Sequence, residues 1–262
     1  MTMSTPTRPE RFDRFLEMLI AEAARHDDVV GVAAFGSTAD RHRADEWSDH
    51  DIAWVVQPGA EVRYRDDLSW LPTTEPMAIS VIEHHGGGKA IDERGHVVEF
   101  GVTTVDGLSQ WFVNRYEVLL DRGGIREALE IAASRGGADG RTDDAREIRL
   151  ALADLLIGVG RYRRGEVLSA GQSIRSDAVG HLLAVLGHRL PDTHSHLDSL
   201  DARRRFELVN PAIGASIERS LRHDPETCAR ELLDLAERLL PTWKEFPRSG
   251  AAAIRRRLGW ET

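Results

Sequence analysis

The sequence predicts an α/β N-terminal domain, a mixed sheet with flanking helices, followed by an all-α helical bundle. Three observations carry this. Apolar, β-branched runs bounded by turn residues fill the chain to about residue 121. From Ile125 onward such runs vanish, and apolar residues recur at helical spacing instead. Between the halves, residues 136–144 (GGADGRTDD) form the one linker-like stretch. Domains at 1–135 and 136–262 follow, with a substrate cleft expected where they pack.

Each element has its own warrant. Phe12, Phe15, Leu16, Leu19, Ile20 and Ala23 recur at three and four residues, which marks an amphipathic helix before the first strand. Val29-Val30-Gly31-Val32-Ala33-Ala34-Phe35 and Ile52-Ala53-Trp54-Val55-Val56 read as buried strands. A helix-like stretch at 60–69, a strand at 77–83 and a hairpin region at 86–95 come next. The turn Glu93-Arg94-Gly95 leads into a β-rich run at 96–105, in which Glu99 is the only charge. Helices are expected at 125–135, 144–163, 166–189, 198–221, 225–240 and 249–258. Gly136-Gly137, Gly165, Pro191, Asp224-Pro225 and Pro241 separate them. No internal repeat is present.

Composition bounds the function. A content of 41% hydrophobic and 29% charged residues is that of an ordinary soluble globular chain. Cys228 is the only cysteine, so no internal disulfide forms and a cytoplasmic location is the default. The apolar stretch at 150–160 is too short to span a bilayer and reads as the centre of a buried helix. Residues 1–120 carry 21 acidic against 11 basic side chains, and the remainder carries 22 against 23. An acidic first half disfavours a nucleic-acid substrate and suits a metal ion and a cationic acceptor.

The chemistry concentrates at two strand ends. Gly36-Ser37 closes the first strand, and eleven residues later Asp49-His50-Asp51 opens the second. Residues two apart on a strand share a face, so Asp49 and Asp51 project together while His50 faces away. Two carboxylates about 4 Å apart repel by roughly 4 kcal/mol at an effective dielectric near 20. A divalent cation relieves this; Mg²⁺ takes one or two carboxylates plus phosphate oxygens and water. Gly36 lets the backbone approach a phosphate, and Ser37 donates to it.

An apolar strand, G-S, about ten residues and D-x-D on the next strand together resemble the signature of the DNA polymerase β-like nucleotidyltransferase superfamily. The resemblance implies a third carboxylate on a later strand, and Glu99 fits. A Glu at this place resembles aminoglycoside O-nucleotidyltransferases, where the third acid also deprotonates the acceptor hydroxyl. Glu117-Val118-Leu119-Leu120-Asp121-Arg122-Gly123-Gly124 is similar to the strand and D-x-G turn that end the catalytic domain in antibiotic nucleotidyltransferases. Tyr162-Arg163-Arg164-Gly165-Glu166, with Ala170, resembles the R-G-E turn of the aminoglycoside 6-adenylyltransferase and lincosamide nucleotidyltransferase groups. Taken residue by residue, the resemblance implies Asp49, Asp51 and Glu99 as metal ligands, Glu99 as base, and Gly36 and Ser37 at the triphosphate of ATP. Ser48, Arg163, Arg164 and Lys244 are further expected phosphate contacts. The acceptor is then a small-molecule hydroxyl, on an aminoglycoside, a lincosamide or a metabolite, and the protein a monomer or homodimer. The alternatives are transfer to a protein or tRNA, and a non-catalytic nucleotide-binding regulator.

Three other motifs are set aside. Gly86-Gly87-Gly88-Lys89 lacks the P-loop spacing, and no helix start follows it. His194-Ser195-His196-Leu197-Asp198 reads as a solvated loop with Asp198 as a helix N-cap. Arg175 and His181 match the R-x5-H of helical ribonucleases, yet lie about 120° apart on a helix.

Overall fold

The computed structural model describes residues 8–73, 75–135, 143–190 and 200–260. The chain divides into two compact units, Met1–Gly137 and Ala138–Thr262.

In the first unit the period-two runs become six strands: β1 (Val29–Phe35), β2 (His50–Val56), β3 (Met77–Ile82), β4 (Gly87–Asp92), β5 (Val97–Thr103) and β6 (Tyr116–Asp121). They form one sheet in the order β3-β4-β5-β2-β1-β6. Strands β2 and β5 run parallel, and the other neighbours pair antiparallel, so the sheet is mixed.

Alternation along the strands builds two cores. On one face, Ile52, Trp54, Val98 and Phe100 pack with Phe15, Leu16 and Leu19 of α1 (Arg8–Ala23) and with Tyr64 of α3 (Glu61–Asp66). On the other, Ala33, Phe35, Ala53 and Val55 pack with Leu108 of α4 (Val105–Leu108) and with Ile125 and Leu129 of α5 (Ile125–Ser134). This second cover stops short of the β3 edge, where Ile79 and Val81 are exposed. Asp51, Glu99 and Lys89 thus stand where the covered part of that face gives way to its open part.

The D-x-G turn after β6 has a structural role. Asp121 accepts hydrogen bonds from the backbone N–H groups of Gly123 (3.0 Å), Ile125 (3.2 Å) and Arg126 (3.0 Å), satisfying the first turn of α5. Partial burial acts to raise its pKa. The three N–H bonds and the charge of Arg126 outweigh that and leave it below the ordinary carboxylate value. A folded-state pKa lowered in this way contributes stability that is complete above the unfolded value and is lost as pH falls through the folded one. Asp121→Ala is expected to cost about 1–2 kcal/mol near pH 7. Its difference from wild type in urea melts should shrink as the pH is lowered below about 4; a gap that stays constant to pH 2 contradicts this account.

From Ile125 onward the described residues hold helices and turns. In the second unit these are α6 (Asp144–Arg163), α7 (Val167–Gly171), α8 (Val179–Arg189), α10 (Pro211–Leu221), α11 (Pro225–Leu239) and α12 (Arg248–Leu258), with one turn of α9 at Phe206–Val209. Asp143 and Asp224 cap α6 and α11 with their carboxylates, and Pro225 occupies the first helical position of α11. The core is built from Ile148, Leu152, Leu155, Val159, Ile174, Leu182 and Leu232, among others. Cys228 is buried within it, and burial pushes its thiol pKa up to about 11.

Two helical expectations need correction. The run at 166–189 carries a π-helical segment, Gln172–Ala178, between α7 and α8. A Cβ on Gly158 of α6 would lie 2.5 Å from Ile174, so the two segments pack closely here. Arg161 reaches across to Ser173 at 2.7 Å. The run at 198–221 breaks at Asn210, because Pro211 starts α10 and cannot continue a helix from α9. The 194–198 motif and its expected N-cap Asp198 lie outside the described residues. No helix among the described residues is long and apolar enough to cross a membrane.

Candidate active site

The site grows from the end of β1. Gly36 has φ +54°, a left-handed conformation that side chains rarely adopt, and open space lies where a Cβ would point. The chain turns there into the short helix α2, Gly36–Ala39. Ser37 is half-buried beside it.

Thr38, the next residue, is fully buried. Its Oγ1 accepts from the Asp51 backbone N–H at 2.9 Å and donates to the Asp49 carbonyl at 3.3 Å. One hydroxyl therefore fastens the Gly36-Ser37 turn to the strand start that carries both aspartates. Sequence reading missed this residue, since an interior threonine in an S-T-A turn bears no mark of its tertiary partners.

His50 points the other way, as alternation requires. It is 1% exposed and stacks on Phe12, ring centroids 3.8 Å apart. Its Nε2 donates to the Phe12 carbonyl at 3.1 Å, leaving Nδ1 to accept from His96 Nε2 at 2.7 Å. Buried anchors on one side of β2 thus hold the carboxylates on the other.

Glu99 meets them across the sheet. In the parallel register of β2 and β5 it is the Cα partner of Asp51, so the two side chains share a face. The β-rich run that carries Glu99 forms β5, which lies between β4 and β2. Gly101, the next residue on that face, is covered by the Trp111 ring, which a Cβ there would meet at 2.3 Å.

Lys89 is the unforeseen member. The G-G-G-K segment lies on β4, and register places Lys89 opposite Glu99. Lys89 Nζ donates to Glu99 Oε1 at 2.5 Å. That bond, opposed by partial burial and aided by the charges of Glu99, Glu83 and Asp49, raises the ammonium pKa above its ordinary value. A signal did exist in the sequence. Lys89 and Lys244 are the only lysines among 34 basic residues, and a compact, mobile point charge differs from a guanidinium fork.

The hard oxygen donors of the three carboxylates suit Mg²⁺ or Mn²⁺ over softer metals. Among the described residues no three His, Cys, Asp or Glu side chains draw close enough to form a ready metal cage. The set still fits an ion that needs only one or two carboxylates and completes its shell with water and phosphate oxygens.

The remaining expected contacts fare unequally. The Ser48 hydroxyl accepts from the Asp45 N–H (2.9 Å) and donates to the Asp45 carboxylate (3.1 Å), closing the turn before Asp49. Arg163 is engaged within the helical unit. Its guanidinium grips Glu226 through Nε (3.0 Å) and Nη2 (2.5 Å), and also donates to the Leu258 carbonyl at 2.7 Å, tying helix ends together. Arg164 pairs with Glu166 at 2.8 Å across the R-G-E turn, where Gly165 has φ +83°. Lys244 is exposed between α11 and α12. Arg175 donates to the His223 carbonyl, whereas His181 pairs with Glu147, so the R-x5-H residues serve separate partners.

No family model and no curated protein sequence matches the chain. In structure the chain is similar to an aminoglycoside 6-adenyltransferase from Bacillus subtilis, at 13% identity and a TM-score of 0.31, covering 98% of this chain and 94% of that chain.

Proposed function

We propose that this protein transfers a nucleoside monophosphate, AMP from ATP, to a hydroxyl of a small molecule and releases pyrophosphate. The observation that carries the reading is the Asp51–Glu99 pairing across parallel β2 and β5, with Asp49 just before β2 and Thr38 fastening the Gly36-Ser37 turn to that strand start. Gly36 and Ser37 hold the β and γ phosphates against the end of β1. Asp49 and Asp51, with Glu99 beside them, would hold Mg²⁺, which when bound neutralises triphosphate charge and polarises the α phosphate. Glu99 accepts the proton of the acceptor hydroxyl. The hydroxyl oxygen then bonds to the α phosphorus as the bond to the β-phosphate bridging oxygen breaks, and pyrophosphate departs.

An acidic first half supports a cationic acceptor, and the motifs shared with antibiotic nucleotidyltransferases support an aminoglycoside or lincosamide. The test is pyrophosphate release from ATP and Mg²⁺ across a panel of both drug classes, with Asp49→Ala and Asp51→Ala as blanks. Release with one class, absent in both blanks, supports reaction and acceptor together. Equal release by the blanks, or no binding of Mg-ATP by calorimetry, overturns the reading. Silence across the panel with Mg-ATP still bound would reject the antibiotic acceptors alone.

A further inference from the structure

Glu99 does not face the two aspartates as a free carboxylate. Its Oε1 is held at 2.5 Å by Lys89 Nζ, and this pair arises from register, because β4 sets Lys89 opposite Glu99 just as β2 sets Asp51 opposite it on the other side. Both side chains are 41% exposed, so the ammonium is free to swing away at small cost. Lys89 also feels Asp49 and Glu83. The ammonium thus holds an acid that the proposed reaction would give to a divalent ion.

Resting on the nucleotidyltransferase reading, we propose that Lys89 is a resident cation that competes with the divalent metal for Glu99, so that Glu99 is open to the metal only after Nζ has left Oε1. In the resting protein Glu99 is engaged by the ammonium, and metal affinity is held down. The phosphates of a bound nucleotide offer the displaced ammonium a new partner, which couples completion of the site to arrival of substrate. Lys89 acts here through Glu99 and is a positioning residue. A lysine suits this role better than an arginine, because its single point charge on a flexible stem gives up a carboxylate more readily than a two-pronged guanidinium does.

The experiment measures Mn²⁺ affinity by calorimetry in the full-length protein without nucleotide, for wild type, Lys89→Met, Lys89→Arg, Glu99→Gln and the Lys89→Met/Glu99→Gln double variant. Thermal melts show that each one folds. Lys89→Met should bind Mn²⁺ about tenfold more tightly, the scale of removing one adjacent charge. Lys89→Arg should show no gain. In the Glu99→Gln background the Lys89→Met gain should largely disappear, because the ligand it liberates is gone. Unchanged affinity in Lys89→Met overturns the proposal. So does a gain that persists in full beside Glu99→Gln, which would make Lys89 a general electrostatic influence. Asp51→Asn, run alongside, separates the two readings. If it leaves Mn²⁺ affinity untouched, the metal site itself fails and the Lys89 proposal with it. If it lowers the affinity while Lys89→Met changes nothing, only the Lys89 proposal fails.

Discussion

Asp51→Asn is expected to lower nucleotidyl transfer by at least roughly a hundredfold, since even residues that merely orient metal ligands cost about 10–100-fold when removed. The substitution keeps size and shape and removes one charge from a face where Glu99 is its cross-strand partner and Asp49 lies two residues away. Relief of that repulsion acts against any loss of packing, so the melting temperature should stay within a few degrees or rise. The measurement is turnover by pyrophosphate release beside a thermal melt of the same preparation. Full activity with unchanged Mg²⁺ dependence would remove Asp51 from the mechanism. Loss of activity accompanied by a collapse in stability would instead make it a structural residue.

Thr38→Val is expected to cost about 1–3 kcal/mol of stability, and at least roughly tenfold in turnover. Valine fills the same space, so the Asp51 N–H loses its 2.9 Å acceptor without gaining a cavity for water. The energetic loss comes from that unmatched donor. The catalytic loss comes from position, because the Gly36-Ser37 turn and the Asp49–Asp51 strand start would no longer be fastened together, and displacements of about 1 Å can cost about 10²-fold. Thr38→Ser restores the hydroxyl and gives up one methyl group, so it should retain most activity at a cost near about 0.8 kcal/mol. If Thr38→Ser falls as far as Thr38→Val, the methyl contacts and not the two hydrogen bonds matter at this position.

How much of this was legible before folding depends on how local each cause is. The alternation that sends His50 and Asp51 to opposite faces is a property of two consecutive strand residues, and it survives in the structure, with His50 against Phe12 and Asp51 beside Glu99, while Asp49 lies just before the strand. Glu99 stood out as the single charge in a β-rich run, and that run is a strand, β5, which the structure places inside the sheet. The break at Asn210 was also a local signal, since Pro211 cannot continue a helix, and reading 198–221 as one element passed over it. Thr38, Lys89 and the π segment were another matter. Thr38 is defined by partners eleven and thirteen residues away, and Lys89 by a hairpin register ten residues on. The π segment at Gln172–Ala178 coincides with a close approach of α6 at Gly158, which no spacing within residues 166–189 announces. Arg163 belongs with them. Its charge suggested a phosphate contact, and its partners, Glu226 and the Leu258 carbonyl, are set by its place at the end of α6 and could not be read from its own segment.

Among the described residues, the sequence by itself determined the order of strands followed by helices, the turn at Gly36 and the strand positions of the acids Asp51 and Glu99, because each rests on side-chain periodicity or backbone restriction within a few residues. Only the tertiary structure decided which groups stand against those acids: the Thr38 hydroxyl beneath them, the His50 and Phe12 anchor behind them, and the Lys89 ammonium already holding Glu99. The physical reason is register. A strand's own pattern says which way its side chains point, but which residue lies opposite is set by how the neighbouring strands slide into place, and a shift of one residue would have exchanged Lys89 for a different partner.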